Sequence, residues 1–246
     1  MDSTVLILVS DTTDFTTNLD APIYLDKNRN YVAAFKSLFT YNSVPNITQS
    51  NNKFRYSSDN GSTYKTIILP IGAYEVTEIN SEIQRQMILN DDYDKSNDSF
   101  FIEISFDKPT QKATIDIKHD DYIVDINCEN SVGTSLGFAE NKILNKGFHI
   151  SENIIDIEPV NTILVHCNII NGSYINNKLS QVIYAFTPKV SPGYKIIEKP
   201  FPEYDYFGIP KYEKIRTVQV WLTDQNNKLI DLRGEKITVC ILIKSV

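Results

Sequence analysis

The chain has 246 residues, enough for a sizeable core in one large domain or two small ones. Its 24 Lys and Arg against 31 Asp and Glu give a net charge of −7, which excludes a protein that coats nucleic acid or an anionic membrane by bulk charge. With 41% hydrophobic and 22% charged residues the composition is globular, and 33 Ile beside few Ala and Gly favour strands over a helical bundle.

The chain opens MDSTVLILVSDTTDF. It has no basic leader, and the apolar run Val5–Val9 is too short for a signal peptide or a membrane span, so it reads as a first strand of a chain made inside the cell. Tyr31–Tyr41 is a longer strand ending near Pro45. Asn52–Ser57 and Tyr64–Leu69 flank a turn in which Asn60-Gly61 signals a hairpin. One helix stands out near residues 77–89, where Ile79, Ile83 and Met87 recur at helical spacing, with Thr77 as the expected N-cap and Glu78 in the first turn. Its expected role is to pack over a sheet. Alternation returns at Phe100–Phe106 and at Ala113, Ile115 and Ile117, a second hairpin. Tyr122–Ile126 is a further strand, and Ser131–Phe138 a short helix or compact loop with Leu136 and Phe138 inside. Thr162–Ile169, Gln181–Phe186, Gly193–Ile197, Ile215–Leu222 and Ile237–Ile243 complete the strands. About ten short strands without alternating helices indicate an antiparallel sandwich or barrel.

Motifs for chemistry are scarce. There is no phosphate loop, nucleophile elbow or zinc-protease helix. Cys128, Cys167 and Cys240 form no CxxC pair, and His119, His149 and His166 are not spaced as metal ligands. His166 and Cys167 are neighbours on a strand, so their side chains point to opposite faces and cannot act as base and nucleophile. The acidic pairs Asp91-Asp92 and Asp120-Asp121 read as solvated turns. These patterns predict no catalytic residue, no cofactor and no metal site.

Two C-terminal segments are more specific. Phe201–Lys211, FPEYDYFGIPK, sets Tyr204, Tyr206 and Phe207 among prolines. Such a segment cannot be a central strand, and it reads either as a contact with another subunit or partner or as a long loop folded on its own domain. In Lys214–Ile243, Val218, Val220 and Leu222 share one strand face, and Thr217, Gln219 and Trp221 the other. Trp221 reads as a partly buried sheet residue rather than a ligand platform. The last strand is apolar on both faces and should be central.

This last segment, with Val220-Trp221-Leu222-Thr223-Asp224 and Leu229–Glu235, resembles the end of the single jelly-roll penton (minor capsid) proteins of adintoviruses and the related Polinton (Maverick) elements. Tyr41–Asn80 and SVGTSLGF (Ser131–Phe138) are similar to the same family, in the same order. The resemblance implies an all-β antiparallel sandwich, a single jelly roll forming one domain over residues 1–246. It implies a homopentamer at the vertices of an icosahedral virus-like particle, beside a major capsid protein of double jelly-roll type. The expected place is the virion capsid, with no direct binding of nucleic acid and no membrane span. The alternative is a jelly-roll binding module that recognises carbohydrate or a cell-surface partner through exposed Tyr and Trp221.

Overall fold

The computed structural model describes residues 3–157 and 160–246. The chain opens with β1 (Ser3–Ser10), β2 (Asp14–Tyr24) and β3 (Tyr31–Tyr41). Then come β4 (Lys53–Ser57), β5 (Lys65–Ile68), α1 (Val76–Leu89), β6 (Ile102–Asp107), β7 (Lys112–Ile117), β8 (Ile123–Asp125), α2 (Val132–Ser135), β9 (Ile143–Leu144) and β10 (Gly147–Ile150). The last part holds β11 (Ile163–Cys167), β12 (Ser173–Ile175), β13 (Lys178–Ser180), β14 (Val182–Phe186), β15 (Lys195–Glu198), β16 (Phe207–Gly208), β17 (Lys214–Thr223) and β18 (Ile237–Ser245).

These elements group in two compact units, Met1–Val44 with Val160–Val246, and Pro45–Pro159. The sequence is read as one domain; the described residues pack as a sandwich with a second unit inserted between β3 and β11. Both units are built from short alternating strands, so no change of composition marks the boundary. Only Pro45 and Pro159 bracket it.

The first unit is the jelly roll. One sheet runs β1-β18-β3-β15, with β16 also on β3; the other runs β14-β11-β17-β2. All these pairs are antiparallel. Along the chain, β1 lies in the first sheet, β2 in the second, β3 in the first, β11 and β14 in the second, β15 in the first, β17 in the second and β18 in the first. This interleaving of eight strands, four in each sheet beside the short β16, is the double Greek key of a jelly roll. Leu6, Leu8, Phe35, Leu38 and Ile241 of the first sheet meet Val165, Val218, Val220 and Leu222 of the second in one core. As expected, the last strand is central, flanked by β1 and β3.

The sequence does not signal β2, which has no apolar run. It is an edge strand whose outward positions Asp14, Thr16, Asn18 and Asp20 are polar and exposed. The hairpin β12-β13 is a further element not expected from the sequence, although Asn176-Asn177, both at positive φ, are the two-residue turn that such a hairpin wants.

The inserted unit carries a sheet β5-β4-β8-β9 and a sheet β10-β7-β6. The helix α1 buries Val76, Ile79, Ile83 and Met87, and Asn80 Oδ1 accepts the Ile104 N–H of β6 at 2.8 Å. Its N-cap is Glu75 and not Thr77. The Glu75 backbone N–H donates to Glu78 Oε2 at 2.8 Å, the reach-back half of a capping box, and Thr77 falls inside the first turn. The compact SVGTSLGF segment forms as expected. Ser131 Oγ caps α2 by accepting the Gly133 N–H at 3.1 Å, and Leu136 and Phe138 are buried.

Candidate assembly surface

The aromatic segment after β15 is anchored at one end and open at the other. Phe207 and Gly208 pair with Ala33 and Val32 of β3 as an edge strand, and Ile209 donates its N–H to Tyr31 at 2.9 Å. Phe207 is half-buried and packs against the sandwich core. Tyr204 and Tyr206 face outward, 38% and 42% exposed, with their rings edge-to-face at 6.3 Å. Lys244 Nζ of β18 lies 3.7 Å from the Tyr206 ring centroid, a cation–π contact that ties the segment to the sheet. The sequence groups Tyr204, Tyr206 and Phe207 as one contact; Phe207 is half-buried against the sandwich core and the two tyrosines are exposed.

Beyond Tyr206 the outer face of the first sheet is largely apolar, with Lys36, Lys195 and Lys244 as its charged positions. On β1 the inward residues Leu6 and Leu8 are buried, while Val5, Ile7 and Val9 point out and are 40%, 67% and 60% exposed. The register sets Val9 beside Thr238, Phe39 and then Ile197; Ile7 beside Cys240 and Ser37; and Val5 beside Leu242 and Ala34. The sequence reads Val5–Val9 only as a first strand, with no face assigned to solvent. The signal was present, since VLILV is apolar at both parities and an edge strand has one covered face.

The residues of conventional chemistry do not converge. Among the described residues no three His, Cys, Asp or Glu are placed to hold a metal ion. His149 Nε2 meets the Asn145 carbonyl at 2.6 Å, and His119 Nδ1 accepts the Asp121 N–H at 3.2 Å. His166 is buried; its Nε2 meets Thr223 Oγ1 at 2.8 Å, and its ring stacks on Trp221 with centroids 4.8 Å apart. Burial pushes its pKa down to about 4, so the imidazole is neutral near pH 7. Cys167 lies in the core on the opposite face, and burial pushes its thiol up to about 12, which removes it as a nucleophile. Trp221 is half-buried, as expected, beside a shallow pocket of about 260 Å³ shared with Asp14, Gln219 and Asn227.

Of the acidic pairs, Asp120 is exposed beside Lys146, at 2.8 Å. Asp92 corrects the reading of a solvated turn. It is buried, accepts the Tyr56 hydroxyl at 2.6 Å and pairs with Lys65 Nζ at 2.5 Å. Burial and this hydrogen bond to Asp92 push the Tyr56 hydroxyl well above the usual tyrosine range. The network fastens β4 and β5 to the end of α1.

No protein-family model and no curated sequence matches the chain. Among solved structures it is similar to the mavirus penton protein, with a TM-score of 0.51 and 11% identity over 100% of this chain and 99% of that one. A chain in the structure of the Sputnik virophage aligns over 99% of this chain and 98% of its own, with 14% identity and a TM-score of 0.44. The likeness to the mavirus protein is one of fold, and it agrees with the jelly-roll strand order.

Proposed function

We propose that this chain is a structural minor capsid protein whose homopentamers form the vertices of an icosahedral particle. The observation that carries the reading is the end-to-end likeness in fold to the mavirus penton protein, which extends over the inserted unit as well as the jelly roll. The resemblance of Lys214–Ile243 to the penton proteins of adintoviruses and Polinton elements points the same way. So do the outward apolar face and the outward Tyr204 and Tyr206, surfaces suited to contacts between subunits. In this reading the work is geometric: a rigid sandwich presents its sides so that copies close head-to-tail into a ring. Its neighbour in the particle is a major capsid protein of double jelly-roll type, and its place is the capsid shell. The net charge of −7 suits a shell protein that leaves the genome to others. It performs no catalysis and takes no cofactor.

The test is the solution mass by light scattering over a concentration series. A species of five chains of 28.1 kDa, about 140 kDa, is expected. A chain that stays at 28.1 kDa at every concentration refutes the self-assembling vertex.

A further inference from the structure

We infer that the outer face of the first sheet, centred on Ile7 and Cys240 and continued by Tyr206, is the seat of a neighbouring copy of this chain that packs on it with a different face. The inference rests on the vertex reading and names the surface that would do the work.

Three observations carry it. The first is extent. β1, β18, β3 and β15 run 8, 9, 11 and 4 residues; at about 4.8 Å between strands and about 3.3 Å per residue the face spans roughly 500 Å², with Ala34 and Ser37 buried within it. That is at the upper end of what a monomer leaves exposed, roughly 300–600 Å². Tyr206 and Tyr204 lengthen the face past Lys244, towards the roughly 800 Å² per partner of a standard interface.

The second is the edge. β1 closes the sheet on one side with STVLILVS, eight residues without a charge, a proline or a bulge in its register. Exposed edges are usually blunted by one of these devices because they template pairing with other chains. An unblunted apolar edge suits a strand that is covered in its working state.

The third is charge. At their outward positions, β1, β18, β3 and β15 carry Lys36, Lys195 and Lys244 and no acid, and the tyrosine segment that continues the face adds the exposed Asp205 at its margin. The remaining surface of the chain is therefore more acidic than its net charge of −7. Two such faces brought together about a two-fold axis would set lysines against lysines in a drying interface. A different, more acidic face of a second copy supplies the opposite charge. The contact is then heterologous, and heterologous contacts are the kind that close into rings.

The experiment compares the wild-type chain with Ile7→Asp in the same light-scattering series. It also measures alkylation of Cys240 by a maleimide in the assembled and monomeric wild-type fractions, read by peptide mass spectrometry. Ile7 is 67% exposed, so the variant keeps its fold and its thermal midpoint. The expected result is assembly at a concentration at least about thirtyfold higher than wild type. With it should come at least a tenfold slower alkylation of Cys240 in the assembled fraction. If the wild type assembles and Ile7→Asp assembles equally well, or Cys240 reacts at the same rate in both fractions, the face is wrong while the vertex reading stands. If the wild type never assembles, both fall.

Discussion

Tyr206 and Phe207 are adjacent in sequence yet should respond to truncation in opposite ways. Phe207 sits in the edge strand on β3 with about half of its side chain covered by the sandwich core. Removing a fully buried Phe costs about 3–5 kcal/mol, so Phe207→Ala should cost about 2 kcal/mol. Tyr206 contributes to the folded subunit through its contact with the Lys244 ammonium, worth about 0.5–1 kcal/mol at an exposed site. At an interface the same ring is an anchor, and its truncation should weaken assembly by about 2 kcal/mol, roughly thirtyfold. Urea unfolding read from the fluorescence of Trp221, the single tryptophan, reports on the jelly roll itself. With a slope of about 2 kcal/mol per molar, Phe207→Ala should lower the midpoint by about 1 M and Tyr206→Ala by less than about 0.5 M. Light scattering on both variants supplies the assembly axis. The reasoning fails if Tyr206→Ala assembles like wild type, or if Phe207→Ala unfolds at the wild-type midpoint.

His166 should make the jelly roll sensitive to acid. Its folded pKa, about 4, lies below the ordinary 6.5, so below pH 6.5 the unfolded chain takes up a proton that the folded chain refuses. Stability from this group is complete above pH 6.5 and declines as pH falls towards 4, by up to about 3 kcal/mol at 1.36 kcal/mol per unit. His166→Asn should flatten that part of the stability–pH curve; an identical curve for variant and wild type would show that His166 is not the cause. Gly137 has φ +86°, and a Cβ there would lie 2.4 Å from the Asn153 carbonyl oxygen. Gly137→Ala should therefore cost the inserted unit at least about 2 kcal/mol, seen as a lower thermal midpoint by circular dichroism, and an unchanged midpoint would refute the close approach. Thr40 Oγ1 is buried on β3 without a hydrogen-bond partner among the described residues. Thr40→Val keeps the shape and should raise stability by about 1 kcal/mol; a loss would mean that the hydroxyl is satisfied in solution.

Much of the architecture was legible because its signals are local. Leu6 and Leu8 alternate with Val5, Ile7 and Val9, and the stripe of Ile79, Ile83 and Met87 has the helical period. The final strand, apolar at both parities, declared its central place between β1 and β3. The polar edge strand β2 was not legible, since Asp14, Thr16, Asn18 and Asp20 alternate with side chains too few to form an apolar run. Glu75 took the cap from Thr77 because Glu78 reached back to it, a choice made by geometry at the start of α1.

By itself the sequence determined that strands dominate, that one amphipathic helix interrupts them, that the histidines and cysteines lack the spacing of a catalytic or metal site, and that aromatics gather at Phe201–Lys211. Tertiary structure alone decided which strands share a sheet, that residues 45–159 form a separate unit, and which side of an apolar strand is left uncovered. Each of these depends on pairings between residues far apart in the chain, such as Ile7 with Cys240 and Leu38 with Val239. Local periodicity fixes the direction of a side chain relative to its own strand; only the partner strands and the opposite sheet fix what that side chain meets.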